Sequence, residues 1–153
     1  MVKIVIRQGK LSDVKYMMQL NEKNLSENYE INFWIETFMK YKRHCFVATF
    51  ANEIIGYIFT DDRTIISFAI DKKFRNFGIG KQLMAHCLNT FTLDVDLHVR
   101  KTNDSARNLY KNFGFNDKEL VANYYLDEDA YEMVHVYEGT KYIEKNKINI
   151  QIK

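Results

Sequence analysis

The sequence predicts one mixed α/β domain. Its 153 residues suit a single core, and 46% of them are hydrophobic, enough to fill one. Segments of period two and period 3.6 follow one another without a low-complexity linker, an internal repeat or a shift of composition. Near the middle, a continuously apolar run from Thr64 to Ile70 leads through a glycine loop into a helical pattern. The domain is read as residues 1–153, with the tail from about 138 unassigned.

In chain order, Val2 to Arg7 alternates and reads as a first strand. A helix follows, with Ser12 as N-cap and Val14, Met17, Met18 and Leu25 on its apolar side. Leu25 to Ile31 breaks that pattern. Phe33, Trp34, Phe38 and Met39 then mark a second helix whose methionine and aromatic stripe reads as core. Phe46 to Phe50 and Ile54 to Phe59 form a hairpin turning at Ala51-Asn52-Glu53. Gly56 inside it signals a bulge or a close backbone approach. Thr64 to Ile70, apolar throughout, belongs at the centre of the sheet. Ile79, Leu83, Cys87, Leu88 and Phe91 define the helix after the loop. From Asp94 to Arg100, Val95, Leu97 and Val99 face one way and Asp96, His98 and Arg100 the other. Asn103 caps a helix carrying Ala106, Leu109, Tyr110 and Phe113, and Gly114 ends it in the left-handed conformation. Strands near Phe115 to Tyr125 and Ala130 to Tyr137 are joined by Asp127-Glu128-Asp129. Alternating Ile148, Ile150 and Ile152 offer one extra strand.

The loop Arg75-Asn76-Phe77-Gly78-Ile79-Gly80 says most about chemistry. Glycines let a backbone approach a ligand and take positive φ. The N–H groups of the following helical turn point at an anion, and the helix dipole favours negative charge there. Arg75 and Lys81 flank the loop with positive charge. No Gly-Lys-Ser/Thr closes it, so ATP or GTP is a poor fit, and it lacks the dinucleotide spacing. The plain alternative is a strand-to-helix turn with glycines for geometry only. A net charge of +2 with scattered basic residues does not argue for nucleic acid, yet it favours an anionic cofactor. No stretch is long enough for a membrane span, and no signal peptide is recognisable. Cys45 and Cys87 lack metal-ligand spacing and read as core thiols, which points to a reducing, cytoplasmic setting without a metal.

The spacing Arg-x-x-Gly-x-Gly resembles the pyrophosphate loop of the GNAT superfamily of N-acetyltransferases, which bind acetyl-coenzyme A. Further motifs sharpen the likeness. Leu97-His98-Val99-Arg100-Lys101-Thr102-Asn103, then Ala106, Leu109-Tyr110 and Gly114-Phe115, resemble the Nα-acetyltransferase branch. Ser26-Glu27-Asn28-Tyr29 and Asn123-Tyr124-Tyr125 with Asp127-Glu128-Asp129-Ala130-Tyr131 agree with it. The likeness is greatest to the NatA catalytic subunit and next to the NatE-type enzyme, and runs from about Ile4 to Val136. It implies the GNAT fold: a mixed, mostly antiparallel sheet with splayed central strands and flanking helices.

The resemblance also implies roles. Acetyl-coenzyme A is held by the backbone of Phe68 and Ile70, with Ala69 between them, by Arg75, Asn76, Phe77, Gly78, Ile79, Gly80 and Lys81, and by Asn103. Tyr110 lies near the sulfur as a general acid, or else only packs. His98 deprotonates the amine through water, or is a plain strand histidine; Glu27 is the other candidate base, or a solvated loop carboxylate. Where the NatE-type enzyme has a tyrosine that shares the base role, this sequence has Thr64. The acceptor peptide enters between Tyr29 and the pair Tyr124 and Tyr125, over Ile66 and beside Glu27. The implied reaction is acetyl transfer to the free amino terminus of proteins or peptides by direct attack in a ternary complex. Positioning supplies much of the rate of such a step. An auxiliary subunit or a ribosome contact is the implied partner. Two other readings compete: acetyl transfer to a lysine side chain or small amine, and a non-catalytic acyl-CoA-binding domain.

Overall fold

The computed structural model describes residues 2–25 and 27–151. Ser26 of the helix-loop motif and Ile152 of the alternating tail lie outside the described residues. The elements in chain order are β1 (Val2–Gln8), α1 (Val14–Asn24), α2 (Ile31–Tyr41), β2 (Phe46–Phe50), β3 (Glu53–Asp61), β4 (Thr64–Ile70), α3 (Ile79–Leu88), β5 (Val95–Arg100), α4 (Asp104–Asn112), β6 (Phe115–Tyr125), β7 (Glu128–His135) and β8 (Lys147–Ile150). The strands form one sheet in the order β6-β7-β5-β4-β3-β2-β1-β8.

Every neighbouring pair is antiparallel except β4 and β5, which run parallel. That pair is joined only at Thr64–Asp96 and Ile65–Leu97. Beyond these residues the strands part. β4 also bulges against β3: Thr60 pairs with Ile65 and Phe59 with Ser67, so Ile66 is the extra residue. One core lies under α3, where Leu83, Met84 and Cys87 pack with Ile58, Leu97 and Phe115. The other lies under α1 and α2, where Met17, Trp34 and Phe38 pack with Val47, Tyr57 and Phe59. Both thiols are free and buried, and burial pushes each well above the ordinary range.

The structure differs from the sequence reading at several places. Ser12 caps nothing; a 3-10 turn, Leu11–Asp13, precedes α1, and the Asp13 carboxylate accepts from the Lys10 N–H at 2.8 Å. Leu25 has left the helix and is extended, while buried Asn21 fills the stripe. Met39 is exposed, because five helical steps turn it about 140° from Trp34; buried Thr37 takes the inner position. The hairpin turns on Ala51 and Asn52, both at positive φ, and Glu53 already belongs to β3. Gly56 fits both expectations: β3 bulges beside it, and a Cβ there would meet the Ile70 methyl at 2.8 Å. The last hairpin turns at Leu126 and Asp127. Glu128 and Asp129 belong to β7, which ends at His135 rather than Tyr137. Their carboxylates are used locally, Glu128 accepting from Thr102 N–H and Asp129 from Asn123 N–H, each at 2.8 Å. Asn103 caps α4 by accepting from Ala106 N–H, and Gly114 sits at φ +91°. The tail crosses α3, where the Asn89 amide bonds both backbone groups of Tyr142, and ends as β8 on the edge of β1.

Arg7 clasps buried Asp13 through two hydrogen bonds of 2.7 and 2.9 Å and ties β1 to the start of α1. Burial works against the Asp13 charge, but Arg7 and Lys10 outweigh it and hold the carboxyl below its ordinary range. Its stabilisation is therefore complete above the unfolded value of about 4 and is lost as pH falls through the depressed folded value. Asp13→Ala should cost on the order of 3 kcal/mol at pH 7. The deficit should shrink below about pH 4, as read by urea melts across pH.

Candidate active site

The parting of β4 and β5 leaves β4 with an unpaired edge. Asp71 N–H bonds Ile55 C=O, so every second backbone group faces β3. Phe68 and Ile70 therefore present theirs to the gap. Ala69 does not: it pairs with Tyr57, and its side chain is buried beneath α1. The Ile70 carbonyl already accepts from Arg75 Nε at 3.1 Å, and Arg75 also reaches Asn24 Oδ1 at 3.1 Å. Arg75 thus ties the end of β4 to the end of α1 rather than reaching outward alone.

The loop beyond carries two left-handed residues, Asn76 at φ +70° and Gly78 at φ +82°. Around Gly78 a Cβ would meet nothing within 4 Å, so open space adjoins the backbone there. The first intrahelical bond of α3 runs from Gln82 N–H to Gly78 C=O. The N–H groups of Ile79, Gly80 and Lys81 therefore have no helical acceptor. Gly80 lies 3.3 Å, at its would-be Cβ, from the Phe68 ring, which seats the helix start against the open edge of β4. Phe77 and the Lys81 side chain are exposed beside the loop. Such a loop is shaped to suit an anion, and it opens onto the edge of β4 that β5 leaves unpaired.

The gap itself is a cleft of about 340 Å³ lined by Glu27, Ile66, Phe68, His98, Arg100 and Tyr110, among others. Asn103 and Tyr125 also reach it. Tyr110 projects from α4 toward the Phe68 ring, 6.4 Å between centroids, and burial pushes its hydroxyl up to about 12. It therefore keeps its proton at neutral pH and enters as a hydrogen-bond donor.

The opposite mouth is built by β6. Between the Val121–Ala130 and Tyr125–Glu128 pairs the strand bulges, with Asn123 at φ +53°. That detour lays the Tyr124 ring on His98, the two rings stacked nearly parallel with centroids 4.2 Å apart. The Tyr125 hydroxyl donates to the His98 carbonyl at 3.4 Å. Tyr29 stacks on Phe33 at the facing loop. Its hydroxyl is raised by burial and then by Tyr124 and Glu27, so these groups share one field.

Arg100 stands at the hub of this mouth. It pairs with Glu27, with Asp127 at 2.8 Å and with Glu128 at 3.4 Å, and lies 4.2 Å over the Tyr125 ring. The carboxylates, Asp127 first and Glu27 next, hold its guanidinium firmly charged. Sequence reading missed this clamp, although Arg100 shares the polar face of β5 with His98. It also missed the buried network in which Asn21 donates to Tyr57 Oη at 3.2 Å and to Ser67 Oγ at 3.1 Å. A buried asparagine in an apolar helical stripe is the only sign it leaves. The tyrosine bulge had a clearer signal: Asn123, a residue tolerant of positive φ, inside a strand pattern. Thr64, where no base was expected, donates its hydroxyl to Asp96. Among the described residues no group of three or more His, Cys, Asp or Glu could hold a metal. No helix among them is long and apolar enough to cross a membrane.

Comparison with known proteins agrees with this geometry. A model of the acetyltransferase (GNAT) family matches residues 14–115. An N-alpha-acetyltransferase of Sulfolobus acidocaldarius is 33% identical over 150 residues, covering 84% of this chain and 89% of its own. The N-terminal acetyltransferase A complex catalytic subunit NAA10 of Arabidopsis thaliana is 30% identical, over 85% of this chain and 76% of its own. Among solved structures, Ard1 from Thermoplasma volcanium superposes with a TM-score of 0.79 at 29% identity, over 88% of this chain and 98% of that one. Splayed central strands, glycine loop and matched sequence lead to one assignment: this chain belongs to the acetyltransferase (GNAT) family.

Proposed function

We propose that the chain is an Nα-acetyltransferase, moving acetyl from acetyl-CoA to the free amino terminus of proteins or peptides. The observation that carries this reading is the splay of β4 from β5, which opens to an anion cradle on one side and to a tyrosine-walled mouth on the other. The residues present fit the donor. The N–H groups of Ile79, Gly80 and Lys81 suit a pyrophosphate, and the open side of Gly78 leaves room for it. Phe68 and Ile70 offer strand backbone to an extended amide chain, as a missing neighbour strand would. Asn103 adds its amide at the start of α4.

At the acceptor mouth, Tyr29, Tyr124 and Tyr125 offer hydroxyls to a peptide backbone, which all such substrates share. His98 takes the proton of the amine. Glu27 is bound to Arg100, so its charge is already answered, and it shapes the mouth rather than acting as base. The amine nitrogen attacks the thioester carbonyl, the carbon–sulfur bond breaks, and Tyr110 donates to the departing sulfur. Positioning both reactants in one cleft carries much of the rate. Exposed Ile31, Ile35 and Met39, four residues apart along α2, offer an apolar stripe to an auxiliary subunit. Two buried free thiols suit a reducing cytoplasm.

The decisive assay is transfer to short peptides. Free N-termini should be acetylated, while an internal lysine in a blocked peptide should react poorly. Faster transfer to that lysine would select the lysine or small-amine reading. Binding of acetyl-CoA without any transfer would select a non-catalytic acyl-CoA-binding domain.

Gly80→Asp tests the cradle separately. It would set a carboxylate beside the pyrophosphate and push on the Phe68 ring. Acetyl-CoA affinity should drop at least tenfold by calorimetry, with the melting profile showing a folded protein. Unchanged affinity would remove the loop from the donor site.

A further inference from the structure

Behind His98 lies a polar group that the acetyl-transfer reading does not use. On the polar face of β5, Asp96 precedes His98 by one side-chain step. Glu132 of β7 is the cross-strand partner of His98. The carboxyls of Asp96 and Glu132 are within hydrogen-bonding reach of each other, which, with burial, raises Glu132. Thr64 donates to Asp96 from the neighbouring strand and fixes its orientation. Asp96, Glu132 and Thr64 line a second cavity of about 350 Å³, whose rim of Asp62, Arg63, Asp94 and Lys118 is exposed. His98 itself lines the reaction cleft. One side chain therefore stands between the cleft and a carboxyl pair with its own route to water.

We propose that Asp96 and Glu132 form the proton outlet of this enzyme, taking from His98 the proton that His98 takes from the acceptor amine, and releasing it through the second cavity. The proposal rests on the acetyl-transfer reading above. In the full step the amine's nitrogen–carbon bond forms, the thioester's carbon–sulfur bond breaks, sulfur leaves with a proton from Tyr110, and Tyr110 is restored by the second proton that the nitrogen loses as the amide forms. The proton drawn off before attack passes from amine to imidazole, from imidazolium to the carboxyl pair, and then to bulk water. Both substrates can then stay bound while the proton leaves by the other end. Asp96 and Glu132 are positioning and relay residues; neither lines the reaction cleft.

The other charged groups near His98 do not duplicate this role. On its own strand Arg100 follows it, and from the α1–α2 loop Glu27 is bound to that arginine. Tyr124 and Tyr125 face it from β6, and both are raised by burial first, so they stay protonated. Tyr110 closes the far wall in the same protonated form. Lys118 of β6 acts on Glu132 in the opposite sense to Asp96, lowering it.

The test compares Asp96→Asn, Glu132→Gln and His98→Ala in the peptide assay across pH, in weak and strong buffer. Removing one carboxylate should lower kcat about tenfold, less than the roughly hundredfold or greater loss expected for His98→Ala. KM for acetyl-CoA and for peptide should hold. The acidic limb of kcat/KM should move to lower pH, because the imidazolium loses a neighbouring negative charge. In Glu132→Ala, added formate should restore part of kcat. If Asp96→Asn does not fold, the two Glu132 variants decide alone, since Glu132 is only partly buried. A normal kcat, an unmoved limb and no formate effect, beside an impaired His98→Ala, would overturn the outlet and leave the acetyl-transfer reading intact. A near-normal His98→Ala would overturn both the outlet and the role of His98. Absence of N-terminal transfer by the unaltered enzyme would instead sink the function itself.

Discussion

The site exists because two parallel strands stop pairing after two residues. A sheet cannot ordinarily leave backbone N–H and C=O groups without partners inside a protein. Here β4 and β5 part beyond Ile65 and Leu97, and the freed edge becomes the wall of a cleft. Holding that gap open takes rigid support on both sides. The bulge at Ile66 turns β4 away from its neighbour. Beneath it, Asn21, Tyr57 and Ser67 lock α1, β3 and β4 together through buried hydrogen bonds, the Tyr57–Ser67 bond being 2.6 Å. Burial, against those bonds, pushes the Tyr57 hydroxyl up to about 12, so it remains a neutral member of the network. On the other side, α3 starts against Phe68, where glycine at position 80 allows the close approach.

Charge at the acceptor mouth is arranged around one cation. Arg100 gathers Glu27 from the α1–α2 loop and Asp127 and Glu128 from the last hairpin, and so ties both walls to β5. These pairs are partly exposed, and each alone would contribute little. Their value lies in geometry: they set the spacing of the loop and hairpin across which Tyr29 faces Tyr124. With Glu27 engaged, the mouth offers an amine hydroxyls, a stacked imidazole and a positive neighbour rather than a free carboxylate.

Much of the architecture was legible because it depends on local chemistry. The alternation of Val95, Leu97 and Val99 must bury one face of β5 whatever surrounds it, and Asn103 caps α4 through its own side chain three residues on. Gly114 takes positive φ for the same kind of reason. The misreadings are equally physical. Ser12 looked like a cap, but the distant Arg7 selected Asp13. Met39 matched the stripe by composition and missed it by helical angle. The acidic run Asp127-Glu128-Asp129 suggested a turn, yet two of its members continue the strand because Thr102 and Asn123 need acceptors there.

The sequence by itself determined the order of strands and helices, the glycine loop at the head of α3 and the polar face bearing His98 and Arg100. Each follows from side-chain periodicity or from a residue's own backbone preference, which act over a few positions. Only the tertiary structure decided at which residues β4 and β5 would separate, that Tyr124 would lie on His98, that Arg100 would hold Glu27, and that Asp96 and Glu132 would meet behind the imidazole. Those contacts join residues 26 to 73 positions apart, as in Tyr124 with His98 and Arg100 with Glu27. They depend on strand register and bulges, and a single unpaired residue such as Ile66 redirects everything beyond it.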